Sequence, residues 1–230
     1  MGTTLLIGSC EPFSGKSALV LGIAQQLTRA GQTIRFGKPL ATSLDWDPNK
    51  GPLPQPLIDD DVRFVGDTLG LSPDQLLPSL HLLSHTTATQ RLGQGDVTAG
   101  SGMDLMRSQI DSDDALTLLE CAGSLQEGLL YGLSLPQLSE ELDASVVLVH
   151  LWQDSCSVDA LLAAKQMLGE RLVGIVLNAV TPDEVESLER QVVPALENLG
   201  LPVFGVMPRS PLLRSVTVGE LVRRLDARVI

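Results

Sequence analysis

Basic and aromatic residues are both scarce in this sequence. Its 230 residues include 16 lysines and arginines against 28 aspartates and glutamates, which gives a formal net charge of −12. Nucleic acids and anionic membranes need clustered positive charge, so this acidity argues against both as partners. Aromatic residues make up only 3% of the chain, so aliphatic side chains must fill its core.

Cysteines and long apolar runs are also few. Cys10, Cys121 and Cys156 are widely separated and follow no metal-ligand spacing, which favours a reducing compartment. No apolar run approaches the length of a membrane span, and the first residues lack the basic stretch of a signal peptide. The composition therefore predicts a cytoplasmic protein without a membrane segment.

A short glycine-bearing loop near the start of the chain is the strongest motif; residues 8–17 read GSCEPFSGKS. An apolar stretch precedes it and an amphipathic stretch follows, which is the strand–turn–helix context of a phosphate-binding loop. Backbone N–H groups of such a turn converge on one point, where the helix dipole also favours anions. Cys10 departs from the usual motif, which has glycine there. The alternative is an ordinary corner that contains Gly15, Lys16 and Ser17 by chance.

The second half of this loop carries the expected chemistry. Lys16 should reach the β- and γ-phosphates as a catalytic residue, and the Ser17 hydroxyl should coordinate Mg²⁺. The residues of the loop that we expect to bind the nucleotide are Glu11, Ser14, Gly15, Lys16, Ser17 and Ala18.

Strands and helices alternate along the rest of the chain. Apolar runs predict strands over residues 3–8, 33–36, 115–119, 144–151, 172–177 and 202–207. Helical spacing and capping residues predict helices over residues 15–30, 59–69, 135–142, 156–168, 182–199 and 216–225, and prolines mark a loop over 44–57. This alternation predicts an α/β fold, a three-layer P-loop NTPase fold with a mostly parallel, doubly wound sheet. We expect one domain over residues 1–230, with an insertion of short helices and loops over about 72–111.

Polar residues stand at the ends of several predicted strands. Ligands of a parallel sheet sit beyond the carboxyl ends of its strands, so these residues should meet at the phosphate loop. They are Lys38, Glu120, Asn178 and Pro208. An acid that ends a buried strand beside such a loop usually contacts Mg²⁺, which makes Glu120 a candidate metal ligand. The alternative for Glu120 is a surface carboxylate at an ordinary strand–loop junction.

The other polar positions each keep two interpretations. Lys38 is either a catalytic residue that faces the γ-phosphate or a substrate anion, or an exposed loop lysine. Asn178 either offers its donor and acceptor to an adenine edge or caps the helix that follows. One of Asp59, Asp60 and Asp61 either supplies a second metal carboxylate, or all three form an acidic helix start.

These motifs resemble the dethiobiotin synthetase group of phosphate-loop proteins. The loop of that group ends in Gly-Lys-Thr, where this chain has Gly-Lys-Ser at residues 15–17. Its Lys-Pro, Glu-Gly-Ala-Gly-Gly and Gly-x-x-Pro segments resemble residues 38–39, 120–124 and 205–208. The resemblance implies that Asp61 joins Ser17 and Glu120 at Mg²⁺. It also implies that Asn178 and Pro208 border the base.

One subgroup resembles the chain more closely, namely the dethiobiotin synthetase-like domain at the N-terminus of some phosphotransacetylases and of DRTGG-domain proteins. The segment EPFSGKSAL at residues 11–19 carries this resemblance, together with the acidic residues 59–61. It implies an ATP- and Mg²⁺-binding regulatory or assembly module with weak ATPase activity at most. The alternatives are an ATP-dependent ligase of the dethiobiotin or cobyrinate type and a degenerate scaffold that binds no nucleotide. Expected partners are the nucleotide, a homodimer or higher homo-oligomer, and a further C-terminal regulatory or catalytic domain.

Overall fold

The computed structural model describes residues 3–44, 46, 51–112 and 114–210 of the chain. The strands are β1 (Thr4–Ser9), β2 (Ile34–Gly37), β3 (Leu40–Ala41), β4 (Leu76–Leu77), β5 (His81–Leu82), β6 (Leu116–Glu120), β7 (Ser145–Leu151), β8 (Leu172–Val180) and β9 (Val203–Pro208). The α-helices are α1 (Lys16–Arg29), α2 (Asp60–Leu69), α3 (His85–Gln94), α4 (Gly102–Ile110), α5 (Leu135–Glu141), α6 (Val158–Leu168) and α7 (Val185–Asn198). The predicted helix over 216–225 and part of the predicted loop over 44–57 lie outside the described residues.

Seven of the strands form one sheet in the order β4-β2-β6-β1-β7-β8-β9, and each neighbouring pair in it is parallel. The predicted parallel, doubly wound sheet is therefore confirmed. β1 lies in the middle, with Leu6 beside Leu119 of β6 on one side and Val146 of β7 on the other. The chain winds away from β1 in both directions, so a crevice opens at the carboxyl end of this strand.

Both faces of the sheet are buried, which explains why its central strands are apolar without alternation. On β1, Leu6 belongs to one apolar cluster and Ile7 to the other. The Ile7 cluster includes Val20 of α1 and Val62 of α2, and the Leu6 cluster includes Leu161 of α6. Helices thus cover the sheet on both sides, as a three-layer α/β fold requires.

The segment over 72–111 contains more than the helices and loops that its sequence indicates. Besides α3 and α4, it supplies β4, which joins the edge of the main sheet with Leu76 beside Phe36. It also supplies β5, which pairs with β3 as a separate two-stranded sheet. Strands of two residues are too short for an alternating pattern, so the sequence does not reveal them.

Among the described residues, no helix combines the length and the apolar character that crossing a bilayer demands.

Candidate functional site

A cavity of about 750 Å³ opens at the carboxyl end of the sheet. Its lining joins the phosphate-loop residues 12–18 to five residues from other elements, Lys38, Asp61, Glu120, Asn178 and Pro208. Asp61 lies in the first turn of α2, Asn178 lies near the end of β8, and the other three follow or end strands of the main sheet. The structure therefore brings together the polar strand ends that the sequence singled out.

The phosphate loop leads into α1 through Gly15, which has a φ of 97°. This is the left-handed region that favours glycine, and a Cβ at this position would also collide with the side-chain nitrogen of Asn178. Among the described residues, no side chain caps the first N–H groups of α1. They are free to bind an anion at the positive end of the helix dipole.

Lys16 is buried at the base of the cavity, where its Nζ donates a 2.9 Å hydrogen bond to Ser9 Oγ. The Ser9 hydroxyl in turn donates to the carbonyl of Glu11 at 2.7 Å, and the carbonyl of Gly123 lies 3.0 Å away. Burial lowers the pKa of Lys16, while Glu120 acts in the opposite direction. The lysine is thus held inside the site by the residue that ends β1.

Ser17 and Glu120 form an oxygen-rich corner of the cavity. The Ser17 hydroxyl donates to Glu120 Oε1 at 3.0 Å, while Oε2 is buried without a hydrogen-bond partner in the described part of the chain. Burial raises the pKa of Glu120 to about 7, against the opposing effect of Lys38. A carboxylate oxygen without a partner beside a hydroxyl fits Mg²⁺, which prefers oxygen ligands.

Any metal at this corner would depend on ligands from outside the protein as well. In the described part of the chain, no three histidine, cysteine, aspartate or glutamate side chains are grouped so as to hold a metal ion. Mg²⁺ is typically bound by one or two carboxylates together with substrate phosphates. Ser17, Asp61 and Glu120 are the residues that would hold it.

Lys38 is buried, so the exposed-lysine alternative is wrong. Its Nζ lies 2.6 Å from Asp61 Oδ2 and 3.4 Å from Asp59 Oδ1, and it donates to Thr42 Oγ1 at 2.6 Å. Burial by itself lowers the pKa of Lys38, but Asp59 and Asp61 outweigh it, so the pKa lies above its ordinary value. Lys38 therefore enters the site as a charged group that two carboxylates hold in place.

The three acidic residues at the start of α2 have different environments. Asp59 is fully buried, and its carboxylate accepts hydrogen bonds from the backbone N–H groups of Thr42, Ser43 and Asp61. It therefore caps the helix and fixes the turn that carries Lys38. Asp60 accepts from the Ser43 hydroxyl. Asp61 is the member of the three that lines the cavity.

Asn178 lies inside β8, which runs three residues beyond the predicted end at 177. Its Nδ2 donates to the carbonyl of Ser14 at 2.7 Å, and its Oδ1 accepts from the N–H of Ala179. These contacts tie Asn178 to the phosphate loop. Pro208 lines the same side of the cavity, and base recognition by both residues stays a prediction.

Two residues of the loop differ from the others in their surroundings. Ser14 is buried, and its hydroxyl has no partner within the described chain. Glu11 does not line the cavity. Its Oε1 accepts from the N–H of Leu151 at 3.1 Å and lies 3.7 Å from His150 Nδ1. The carboxylate of Glu11 thus fastens the loop to the end of β7.

Sequence reasoning missed several residues that build this site. They are Ser9 under Lys16, Thr42 beside Lys38, Glu127 bonded to the N–H of Gly123, and His150 beside Glu11. Ser9 had a signal of its own, since it ends the first strand next to the loop. Thr42 and Glu127 lie only four residues from Lys38 and Gly123, but in loops without a periodic pattern, and His150 is distant from Glu11 in the sequence.

A family model described as an AAA domain matches residues 3–217 of the chain. Among solved structures, the chain is similar to chloroplast FtsY from Physcomitrella patens, at 13% identity and a TM-score of 0.52. That alignment covers 90% of this chain and 58% of that one, so the chain spans little more than half of FtsY. It is also similar to a nucleotide-binding protein in complex with ADP from Archaeoglobus fulgidus, at 13% identity, a TM-score of 0.45, and coverage of 96% and 87%. The fold is that of P-loop nucleotide-binding domains.

Proposed function

This chain belongs to the AAA domain family whose model it matches, and we propose that it binds ATP with Mg²⁺ as a regulatory or assembly module with weak ATPase activity. The observation that carries the proposal is the convergence of Lys16, Ser17 and Glu120 on one cavity at the start of α1. A nucleotide with its metal supplies phosphate charge for Lys16 and a cation for the oxygens of Ser17 and Glu120.

Charge and size both support a nucleotide as the ligand. Lys16 and Lys38 are buried cations within a chain of net charge −12, so two positive charges lie where phosphates would bind. The cavity of about 750 Å³ falls in the range of small-molecule sites. The unpartnered oxygen of Glu120 gives Mg²⁺ a ligand that burial has already dehydrated.

A regulatory role is favoured by the state of Lys38. A ligase needs an ammonium group that is available to a substrate anion, whereas Lys38 is held by Thr42, Asp59 and Asp61. An ATP-dependent ligase of the dethiobiotin or cobyrinate type is the second candidate, because Lys38 does line the cavity. The two differ in turnover: a ligase hydrolyses ATP rapidly only when its acceptor is present.

Self-association is a further part of the proposal. Phe13, on the phosphate loop, is 99% exposed. Coverage of this side chain by another copy of the chain would remove its apolar surface from water. A homodimer that forms across the mouth of the cavity would make assembly depend on bound nucleotide.

The test is a titration of the full chain by calorimetry with ATP, ADP, GTP and AMP, each with and without Mg²⁺. Lys16→Ala should lose triphosphate binding while its circular dichroism and thermal midpoint stay close to those of the wild type. Arg29→Ala, at the exposed far end of the same helix, is the matched control and should bind as the wild type does. Equal ATP affinity in Lys16→Ala and the wild type would overturn the proposal.

A further inference from the structure

A series of polar contacts connects the phosphate loop to the start of α6 through His150. This histidine lies in β7 and is almost completely buried. Its Nδ1 is 3.7 Å from Glu11 Oε1, and its Nε2 is 2.9 Å from Ser157 Oγ. Ser157 Oγ lies 2.6 Å from the carbonyl oxygen of Asp154. Three contacts thus join loop, strand and helix.

The number of protons decides how many of these contacts are hydrogen bonds. The Asp154 carbonyl can only accept, so its 2.6 Å contact takes the Ser157 hydroxyl proton. Ser157 Oγ then accepts from His150, which places the single proton of a neutral imidazole on Nε2. Nδ1 is left as an acceptor that faces the Glu11 carboxylate, and it has no hydrogen-bond partner among the residues that the structure describes.

A second proton on the imidazole turns Nδ1 from an acceptor into a donor to the Glu11 carboxylate, because an imidazolium donates from both nitrogens. An approach of about 0.8 Å brings Nδ1 and Glu11 Oε1 to the usual N–H···O separation. The carboxylate already faces this way, since it accepts from the N–H of Leu151. Of the charged groups in the described chain, Glu11 is the one that acts on His150, and the nearby Asp154 carboxylate is bonded to the N–H of Cys156.

We propose, as an extension of the proposed nucleotide-binding function, that His150 is a positioning residue that fastens the phosphate loop through Glu11 when it is protonated. His150 does not line the cavity, so it acts on the nucleotide only through the loop. A fastened loop is pre-ordered for phosphate, which lowers the entropy cost of binding. The positive charge of the imidazolium also offsets the negative charge of Glu11 beside the phosphates.

The expected consequence is a nucleotide affinity that rises as pH falls through the titration of His150. Burial lowers the pKa of His150 below its ordinary value, and Glu11 opposes this effect. The histidine is therefore neutral at neutral pH and becomes charged only below the ordinary titration range of histidine. We expect an increase in affinity of about fivefold, at the lower end of couplings between sites.

Nitrogen NMR of the histidine rings in the full chain tests this directly. Free protein at high pH should show His150 as the Nε2–H tautomer. Coupling is reciprocal, so a saturating non-hydrolysable ATP analogue with Mg²⁺ should raise the His150 pKa by ~0.7. The ring nitrogen resonances of the exposed His85 on α3 should be the same with and without the analogue.

Two variants separate this role from a structural one. His150→Gln retains a donor for Ser157 but carries no charge. The affinity of this variant for the nucleotide analogue should therefore lack the increase that His150 causes as pH falls. Glu11→Gln supplies an amide that donates to a neutral Nδ1, so it should hold the loop at every pH. Glu120, whose pKa is about 7, also titrates but is present in all these proteins, so the difference between wild type and variant isolates His150.

These measurements distinguish failure of the positioning role of His150 from failure of the proposed nucleotide binding. An unchanged His150 pKa on binding, or a full pH dependence in His150→Gln, overturns the positioning role and leaves the proposed function standing. Failure of the wild type to bind the analogue at any pH overturns the proposed function, and the positioning role with it.

Discussion

The side-chain nitrogen of Asn178 donates a 2.7 Å hydrogen bond to the backbone carbonyl of Ser14. The two residues are 164 positions apart, so β8 reaches across the sheet and supports the phosphate loop. Gly15, the next residue of the loop, has no room for a side chain because the same nitrogen lies against it. The shape of the loop therefore depends on the far half of the sheet as well as on its own sequence.

Asn178→Ala should weaken the binding of ATP, GTP and inorganic triphosphate alike. It removes one hydrogen bond to the loop, which is worth about 1 kcal/mol, or roughly fivefold in affinity. Calorimetry with the three ligands measures the effect, and Asn198→Ala at the exposed end of α7 is the control. A loss confined to ATP would assign Asn178 to the base instead, and unchanged affinity for all three would contradict both roles.

Gly15→Ala should destabilise the protein by ~1–3 kcal/mol. Alanine is strained at positive φ, and its Cβ would meet the Asn178 side chain. Gly22→Ala is a control within the same helix, because Gly22 has open space around it and no positive φ. There we expect a gain of about 0.5–1 kcal/mol. Urea unfolding of both variants measures the change in the free energy of unfolding. A change in the same direction for both variants would refute this account of Gly15.

Glu120→Gln should make the unliganded protein more stable above neutral pH. The pKa of Glu120 is raised by burial from 4.5 to about 7, so between these values the folded protein keeps a proton that the unfolded chain has lost. Stability therefore falls in the wild type as pH rises through this range. Glutamine does not titrate, and the variant should gain roughly 1–3 kcal/mol over the wild type at pH 8. Thermal unfolding from pH 5 to 8 measures it, with exposed Glu189→Gln as the control.

The same Glu120→Gln variant should lose much of the Mg²⁺ dependence of ATP binding. An amide oxygen carries no charge and is a weaker ligand for a hard cation than a carboxylate. Magnesium titrations at fixed ATP compare the two proteins by calorimetry. Superimposable titrations would show that Glu120 has a structural role only.

Lys38→Met should destabilise the protein by ~2–4 kcal/mol. It leaves the buried Asp59 without its cation, and removal of one partner from a buried pair is more costly than loss of the whole pair. Asp61 is the second carboxylate that Lys38 neutralises, so adding Asp61→Asn removes its repulsion on Asp59 and should recover part of the loss. Denaturant unfolding measures these differences, with Arg63→Met on the exposed face of α2 as the control. Strictly additive effects would indicate that Lys38 and Asp61 do not interact.

The sequence alone predicted the parallel sheet, the loop that leads into α1 and the polar strand ends. These features depend on residues that are neighbours along the chain, because an apolar strand, a glycine turn and an amphipathic helix each leave a local pattern. The sequence also placed Glu120 at the edge of the sheet that carries the phosphate loop, because parallel strands put their carboxyl ends at one edge.

Only the tertiary structure decided what each polar side chain contacts. Lys38 is buried beside Asp59, which lies 21 residues later in the chain, caps α2 and turns its carboxylate inward. Glu11 belongs to the loop motif, yet its carboxylate faces Leu151 and His150, which lie on the neighbouring strand. Such contacts join residues that are distant in the chain, and they form because a buried polar group must find a partner wherever packing provides one.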